Sequence, residues 1–152
     1  MRLVLGMLVV FAFGLPRTAF AGEIEKYWGR VRGTALADRL ESASQALLGS
    51  TFSEAPLGEG PGSRYDAGPT YRFDTFDCTT FVETVLALAT SKAASEFEKQ
   101  LRKIRYRRGE VTFLTRNHFP CVDWIPNNTE NGLLKDITAE VGKNWGVAVA
   151  SA

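Results

Sequence analysis

One helix that is apolar around most of its circumference dominates this sequence. Residues 78–91 are predicted to be helical because Phe81, Val85 and Leu88 recur at three- and four-residue spacing and form one row. A second apolar row lies beside it and consists of Val82, Leu86 and Ala89. Because a helix with so little polar surface has to be covered by other elements, we expect it to be buried.

The start of this helix carries a cysteine in a position suited to chemistry. Asp77 precedes the helix and is placed to cap it, so Cys78 would be the first helical residue. Unpaired backbone N–H groups and the positive end of the helix dipole stabilise a thiolate there. The same N–H groups can donate to the oxyanion of an acyl transfer. The alternative is a cysteine that only fills space in the core, as most free cysteines do.

A thiol nucleophile needs a base, and the chain offers one imidazole. His118 is the only histidine and follows Cys78 by 40 residues. Asp123 comes five residues later and could orient it, so a Cys78–His118–Asp123 triad is one hypothesis. The competing interpretation is a structural hydrogen-bonding role for His118, because nothing in the spacing directs it toward Cys78.

The rest of the chain is divided by glycine and proline. Helices are predicted at 24–31, 36–47 and 95–107, strands at 111–115 and 133–141, and turn-rich connections at 49–77 and 117–132. Basic side chains gather toward the end of the third of these helices, namely Lys99, Arg102, Lys103, Arg105, Arg107 and Arg108. They are interpreted as complementing the helix dipole on a solvated face, with contact to carboxylates of a peptide as the alternative.

The N-terminus has the pattern of a secretory signal peptide. Arg2 precedes an uncharged apolar run over residues 3–15, and Ala19-Phe20-Ala21 forms a small-x-small cleavage site. An uncleaved membrane anchor is the alternative, but a span needs about 20 apolar residues. We therefore expect residues 1–21 to be removed, the protein to be exported to the periplasm or cell envelope, and residues 22–152 to form a single domain.

Charge and cysteine count limit the partners and cofactors. The formal net charge is +1, and it becomes −1 when the two arginines of the signal peptide are removed. Such a balance argues against nucleic acid as a partner. Cys78 and Cys121 could form a disulfide in an exported protein. A zinc site needs about four ligands, and two cysteines and one histidine without paired spacing do not indicate one, so no metal or other cofactor is expected.

Several motifs resemble those of a bacterial family described as N-acetylmuramoyl-L-alanine amidase-like, which belongs with the NlpC-like papain-fold cell-wall hydrolases. The main one is the run Phe73-Asp74-Thr75-Phe76-Asp77-Cys78-Thr79-Thr80-Phe81-Val82-Glu83-Thr84-Val85-Leu86-Ala87-Leu88. Further matches follow in order at 104–110, 115–119, 123–125, 131–132 and 136–138. The resemblance covers roughly residues 45–142.

The resemblance implies a fold, a reaction and a site. The fold would be α+β, with a papain-like core of the NlpC type, a helical front half and an incomplete antiparallel sheet. The activity would be that of a cysteine amidase or peptidase acting on peptidoglycan amide bonds, with Cys78 as nucleophile and His118 as the candidate base. Substrate contacts are expected from Asp77, Thr79, Arg116, Asn117, Asp123 and Trp124.

The chain also departs from the family pattern. The histidine of the family's Ser/Asp-His-x-Gly stretch would come after residue 152. His118 instead matches the histidine of an earlier motif at 115–119, and the resemblance implies that this residue belongs to the substrate cleft or supports it. We therefore expect a hydrolase domain truncated at its C-terminus. One alternative is a short variant in which His118 acts as base. Another is a non-catalytic protein that binds the cell wall and lacks the general base.

Overall fold

The computed structural model describes residues 17–146, with side chains from Gly22 onward. The predicted signal peptide at 1–21 therefore lies almost wholly outside the described residues, as does the apolar tail at 147–152. Within the described part, no helix is long and apolar enough to cross a membrane.

The described residues form helices with two very short strands between them. The α-helices and strands are α1 (Arg17–Trp28), α2 (Leu36–Leu47), β1 (Thr51–Phe52), β2 (Thr75–Phe76), α3 (Cys78–Thr90), α4 (Phe97–Arg105), α5 (Ile125–Glu130) and α6 (Thr138–Asn144). Short 3₁₀ turns occur at Ala94–Glu96 and Arg107–Gly109, and a π-helical turn occurs at Pro120–Trp124. The described chain is thus α+β and mostly helical.

Helix α3 lies at the centre, as its apolar circumference predicts. It packs against α2 on one side and α4 on the other. Ala87 and Leu88 are fully buried, together with Ala43 of α2 and Phe97 of α4. Burial is incomplete near the start of α3, where Val82 remains 46% exposed. The predicted helices over 36–47 and 78–91 are therefore confirmed, with α3 ending one residue early.

The C-terminus of α3 is held by side chains from the two helices that precede it. Arg39 of α2 donates from Nε to the carbonyl of Ala89 at 2.6 Å and from Nη2 to that of Ser91 at 2.7 Å. The indole Nε1 of Trp28 donates to the same Ser91 carbonyl at 3.2 Å. These bonds satisfy carbonyl groups that a helix end leaves unpaired, so they fix α1 and α2 against α3.

A parallel pair of strands positions the start of α3. Thr51 pairs with Thr75 and Phe52 with Phe76, and the Thr75 hydroxyl donates to the Thr51 carbonyl at 2.8 Å. Strand β2 ends at Phe76, directly before Asp77. Because β2 is tied to β1, the residue that caps α3 enters the helix from a fixed direction.

The two predicted strands are wrong. Residues 111–115 form a turn, in which the Thr112 and Thr115 hydroxyls lie 2.7 Å apart and bond the backbone locally. In the second segment, the Asp136 carboxylate accepts the N–H of Thr138 at 2.8 Å, and helix α6 begins there. Side chains that bond the nearby backbone compete with strand pairing, and in both segments the local bonds prevail.

The expected antiparallel sheet and the loop at 117–132 also differ from the structure. The one sheet among the described residues is parallel, and antiparallel pairing occurs there only as a single bridge between Tyr106 and Arg116. Residues 120–130 form the π-helical turn and α5 instead of a loop. The Asp123 carboxylate accepts the N–H groups of His118 and Phe119 at 3.0 and 2.8 Å, which holds the backbone directly before this turn.

Tyr71 belongs to an aromatic cluster and provides a measurable titration. Its ring packs edge-on against Phe97 at 5.5 Å, and its hydroxyl donates to Glu98 Oε1 at 3.4 Å. Burial, and then the charge of Glu98, raise the pKa of Tyr71 from 10.0 to about 12. Because the folded state favours the protonated phenol, its contribution to stability is complete below pH 10 and is lost as the pH rises to about 12.

We expect an ultraviolet titration of the folded protein to include the ionisation of Tyr71 near pH 12. Burial also raises the pKa of Tyr106, so the variant Tyr71→Phe identifies the step: the absorbance change near pH 12 should fall by one tyrosine, while the ring contact with Phe97 is kept. A wild-type titration in which every tyrosine ionises near its ordinary pKa would contradict the assignment.

Candidate active site

The start of α3 is fixed by a reciprocal cap. The Asp77 carboxylate accepts the backbone N–H of Thr80 at 2.7 Å, and the Thr80 hydroxyl accepts the backbone N–H of Asp77 at 3.0 Å. This capping box confirms the N-cap predicted from the sequence. A further consequence is that Asp77 has one carboxylate oxygen committed to the backbone, although it was expected to contact substrate.

Cys78 is an exposed free thiol at the first position of the helix. Its Sγ lies 4.0 Å from the hydroxyl oxygen of Thr79. The first N–H groups of a helix have no partner within it. Asp77 accepts those of Thr80 and Phe81, which leaves the N–H groups of Cys78 and Thr79 available. The thiol therefore stands beside two donors that can bind an oxyanion.

Three hollows surround this helix start. The first, the polar cleft, measures about 210 Å³ and is lined by Ala55, Leu57, Asp77, Thr79, Thr80, Glu83, Arg105, Arg116, Asn117 and His118. The second, the thiol groove, measures about 200 Å³ and is lined by Cys78, Thr79, Val82, Pro120, Trp124 and Ile125. The third measures about 320 Å³, lies between α2 and α3 and also reaches Cys78. Thr79 borders both the polar cleft and the thiol groove, so the two meet beside Cys78.

His118 faces the polar cleft, but its hydrogen bonds are not to Cys78. Its Nε2 lies 2.7 Å from the carbonyl oxygen of Phe113, and the two rings are 4.6 Å apart. A carbonyl can only accept, so Nε2 carries the proton and Nδ1 remains the acceptor when the ring is neutral. The structure therefore does not join Cys78, His118 and Asp123 through hydrogen bonds, because Asp123 binds backbone N–H groups instead of the imidazole.

A buried ion pair lies directly beneath the site. Glu83 of α3 accepts from Nε of Arg105 at 2.6 Å, and both side chains are almost fully buried. The other carboxylate oxygen accepts the indole N–H of Trp124 at 3.0 Å. Arg105 also donates from Nη1 to the Thr70 carbonyl at 2.6 Å. Burial raises the pKa of Glu83, although the charge of Arg105 opposes the shift.

Glu83 is not among the residues predicted for the site, and Arg105 is predicted to lie on a solvated face. A signal was present, since Glu83 is an acidic residue within the apolar part of a helix predicted to be buried. An acid at such a position requires a partner. Only the fold shows that the partner is Arg105, and that the same carboxylate holds Trp124 in the wall of the thiol groove.

Arg116 and Asn117, which are predicted to bind substrate, are bonded to other residues of the protein. Arg116 forms ion pairs with Glu59 and with Asp66, the latter at 3.0 Å, and so ties the glycine-rich connection to the segment after α4. The side-chain amide of Asn117 donates to the Ile104 carbonyl at 3.1 Å. Both residues still line the polar cleft. They shape its wall, and Nε and Nη2 of Arg116 and the side-chain nitrogen of Asn117 are already bonded within the protein.

Metal ligands do not cluster anywhere in the described part of the chain, where no three carboxylate, imidazole or thiol side chains come together. The two cysteines are separate free thiols, so the disulfide considered from composition is not formed.

Comparison with known proteins agrees with the motifs around Cys78. The model of the AmiA-like family, described as N-acetylmuramoyl-L-alanine amidase-like, matches residues 42–151. No curated protein matches this chain. Among solved structures, a Legionella pneumophila protein of the DUF1460 family is 40% identical, with a TM-score of 0.74 over 82% of this chain and 42% of that one.

A second solved structure is an N-acetylmuramoyl-L-alanine amidase from Bacteroides uniformis. It is 36% identical to this chain, with a TM-score of 0.56 over 66% of this chain and 42% of the amidase. The chain therefore spans less than half the length of either solved protein. From the family match and the shared fold, this chain belongs to the N-acetylmuramoyl-L-alanine amidase-like family.

Proposed function

We propose that this protein is an exported cysteine hydrolase that cleaves amide bonds of peptidoglycan, with Cys78 as its nucleophile. The observation that carries the proposal is the exposed thiol of Cys78 at the capped start of α3, beside the N–H groups of Cys78 and Thr79. The name of the Bacteroides uniformis amidase supports the substrate class. The N-terminal signal pattern supports export, and the papain-like core of the NlpC type is part of the same proposal.

The proposed reaction is an acyl transfer to sulfur followed by hydrolysis. Cys78 Sγ attacks the amide carbonyl carbon, and the N–H groups of Cys78 and Thr79 receive the oxyanion. The C–N bond then breaks, and the nitrogen takes up a proton and leaves as the amine. Water attacks the resulting thioester, releases the carboxylic acid and restores the thiol. The substrate would lie across Cys78, with one part in the thiol groove and another in the polar cleft.

His118 is the candidate base within this chain. It lines the polar cleft next to Asp77 and Thr79, and its Nδ1 is free to accept a proton because Nε2 is bonded to Phe113. To act as base, the imidazole would have to move within hydrogen-bonding distance of the Cys78 thiol, away from the position in which Phe113 holds it.

A second candidate function rests on the hydrogen bonds of His118 and Asp123. With Nε2 of His118 bonded to Phe113 and Asp123 bonded to backbone N–H groups, no base contacts Cys78 among the described residues. A protein that binds peptidoglycan through the two hollows without cleaving it is compatible with this arrangement.

The test uses the full chain, expressed in a bacterium with its own N-terminus and recovered from the envelope fraction. Recovery of a chain that begins at Gly22 would support export. The purified protein and the variant His118→Ala are incubated with peptidoglycan sacculi, and released stem peptides and bound protein are both measured.

Each outcome separates the candidates. Release that falls at least ~100-fold in His118→Ala would support His118 as base, since general bases contribute roughly 10²- to 10⁴-fold. Release that is unaffected by the substitution would place the base elsewhere. Binding to sacculi without any release would contradict the hydrolase and support the binding protein.

A further inference from the structure

The outer face of α4 and the turn after it form a basic groove, which is independent of the candidate active site. The groove measures about 840 Å³, and four cationic side chains line it: Lys99, Arg102, Lys103 and Arg108. Arg102 pairs with Glu98 at 3.3 Å, whereas the other three make no ion pair with any side chain between residues 22 and 146. We propose that this groove binds a linear polymer that carries repeated phosphate groups.

The cations form a row rather than a single point of charge. Lys99, Arg102 and Lys103 are three and four residues apart on α4, so they share one face of the helix. Lys99 and Lys103 are separated by about 6 Å along the helix axis. Arg108 follows the end of the helix and extends the row. Such a row matches anionic groups that recur along a chain better than it matches one isolated anion.

Complementing the helix dipole accounts for only part of this row. Cations in the last turn of a helix are stabilised by the dipole, which explains Arg102 and Lys103. Lys99 lies in the first half of α4, and Arg108 lies beyond its end. Arg108 also has φ 56° and ψ 16°, a left-handed conformation that costs free energy for residues other than glycine. The side chain of Arg108 lines the groove although its backbone conformation is strained, which is the pattern expected of a functional position.

The shape and lining of the groove favour a phosphate chain over nucleic acid and over a membrane surface. Arginine binds phosphate through two parallel N–H donors, and lysine adds a point charge. No aromatic side chain of the described residues lines the groove, so nucleic-acid bases would have no surface on which to stack. A flat membrane would meet only the outermost cations, whereas a flexible chain can follow the concave surface.

Binding of inorganic polyphosphate to the full chain tests the proposal. The double variant Lys99→Gln/Lys103→Gln is compared with the matched control Lys92→Gln/Lys143→Gln, which removes two exposed lysines outside the groove and has the same net charge. We expect at least a ~10-fold weaker affinity for the first variant and less than ~2-fold for the control. The slope of log K against log salt should become shallower by about 1.4 in the first variant, because each lysine–phosphate interaction accounts for roughly 0.7 of that slope.

The variant Arg108→Gly makes the test independent of folding. Glycine relieves the left-handed conformation, so thermal stability should be unchanged or higher, while the affinity for polyphosphate should fall roughly 3- to 10-fold. Equal losses in the two double variants, or an unchanged affinity in Arg108→Gly, would overturn the proposal. Tighter binding of a single-stranded oligonucleotide, or of vesicles containing anionic phospholipid, would also overturn it.

Discussion

Replacing Cys78 by alanine is expected to lower the release of stem peptides from sacculi by roughly 10⁴-fold or more, because the proposed acyl intermediate forms on its sulfur. Cys78→Ser should also lose most of the activity, since the hydroxyl is a far weaker nucleophile at neutral pH. Neither change should disturb folding, because the side chain is exposed and the cap of α3 is made by Asp77 and Thr80.

Cys121 supplies a matched control for this experiment. It is also an exposed free thiol, but it lies in the π-helical turn and does not line the thiol groove. Cys121→Ala should keep wild-type activity and leave one thiol, which an alkylating reagent can label at Cys78 alone. Loss of activity on labelling would agree with the Cys78→Ala result. Undiminished release by Cys78→Ala would rule out Cys78 as the nucleophile.

Removing one partner of the buried Glu83–Arg105 pair is expected to destabilise the fold by about 3–5 kcal/mol. The two side chains are 2% and 3% exposed, so a charge left alone there cannot be solvated. Arg105→Met leaves a buried carboxylate, and Glu83→Gln leaves a buried guanidinium. Chemical denaturation measures the free energy of unfolding. Lys135→Gln, which breaks an exposed pair with Glu140, should cost less than about 0.5 kcal/mol.

The pH dependence of Arg105→Met follows from the direction of the Glu83 shift. Burial raises the pKa of Glu83, and the substitution removes the charge that opposes this. The folded state then binds a proton more tightly than the unfolded state does. The protonated form therefore contributes its full stability below the ordinary pKa of 4.5 and loses it as the pH rises through the higher folded value. The deficit of Arg105→Met should be smaller in acid than at neutral pH.

A double variant distinguishes the cost of leaving one buried charge unpaired from the cost of losing the ion pair itself. Glu83→Leu/Arg105→Met removes both charges and should recover much of the stability lost by either single change, because apolar side chains can replace a buried pair at little cost. Trp124 would still lose the carboxylate that accepts its indole N–H. If the double variant were as unstable as the sum of the single variants, the ion pair would not be the source of the effect.

Local patterns in the sequence were sufficient for α2 and α3, but not for the π-helical turn and α5. The apolar rows of 78–91 predicted α3, and Asp77 was correctly placed as its cap because capping depends on residues that adjoin in the sequence. The strands at 111–115 and 133–141 were wrong because threonine and aspartate side chains bond the nearby backbone there. Strand formation also requires a distant partner, and a single sequence does not reveal one.

Cys78 illustrates where the contribution of the sequence ends. The sequence by itself determined that a thiol begins a capped, largely apolar helix, because helix periodicity and capping involve only neighbouring residues. Only the tertiary structure decided what surrounds that thiol. There, His118 is hydrogen-bonded to the Phe113 carbonyl, Asp123 accepts backbone N–H groups, and Glu83 accepts from both Arg105 and Trp124. The contacts of Glu83 join segments 22 and 41 residues apart, and packing selects them rather than spacing along the sequence. The contacts of His118 and Asp123 span five residues and depend on turns that the sequence patterns did not predict.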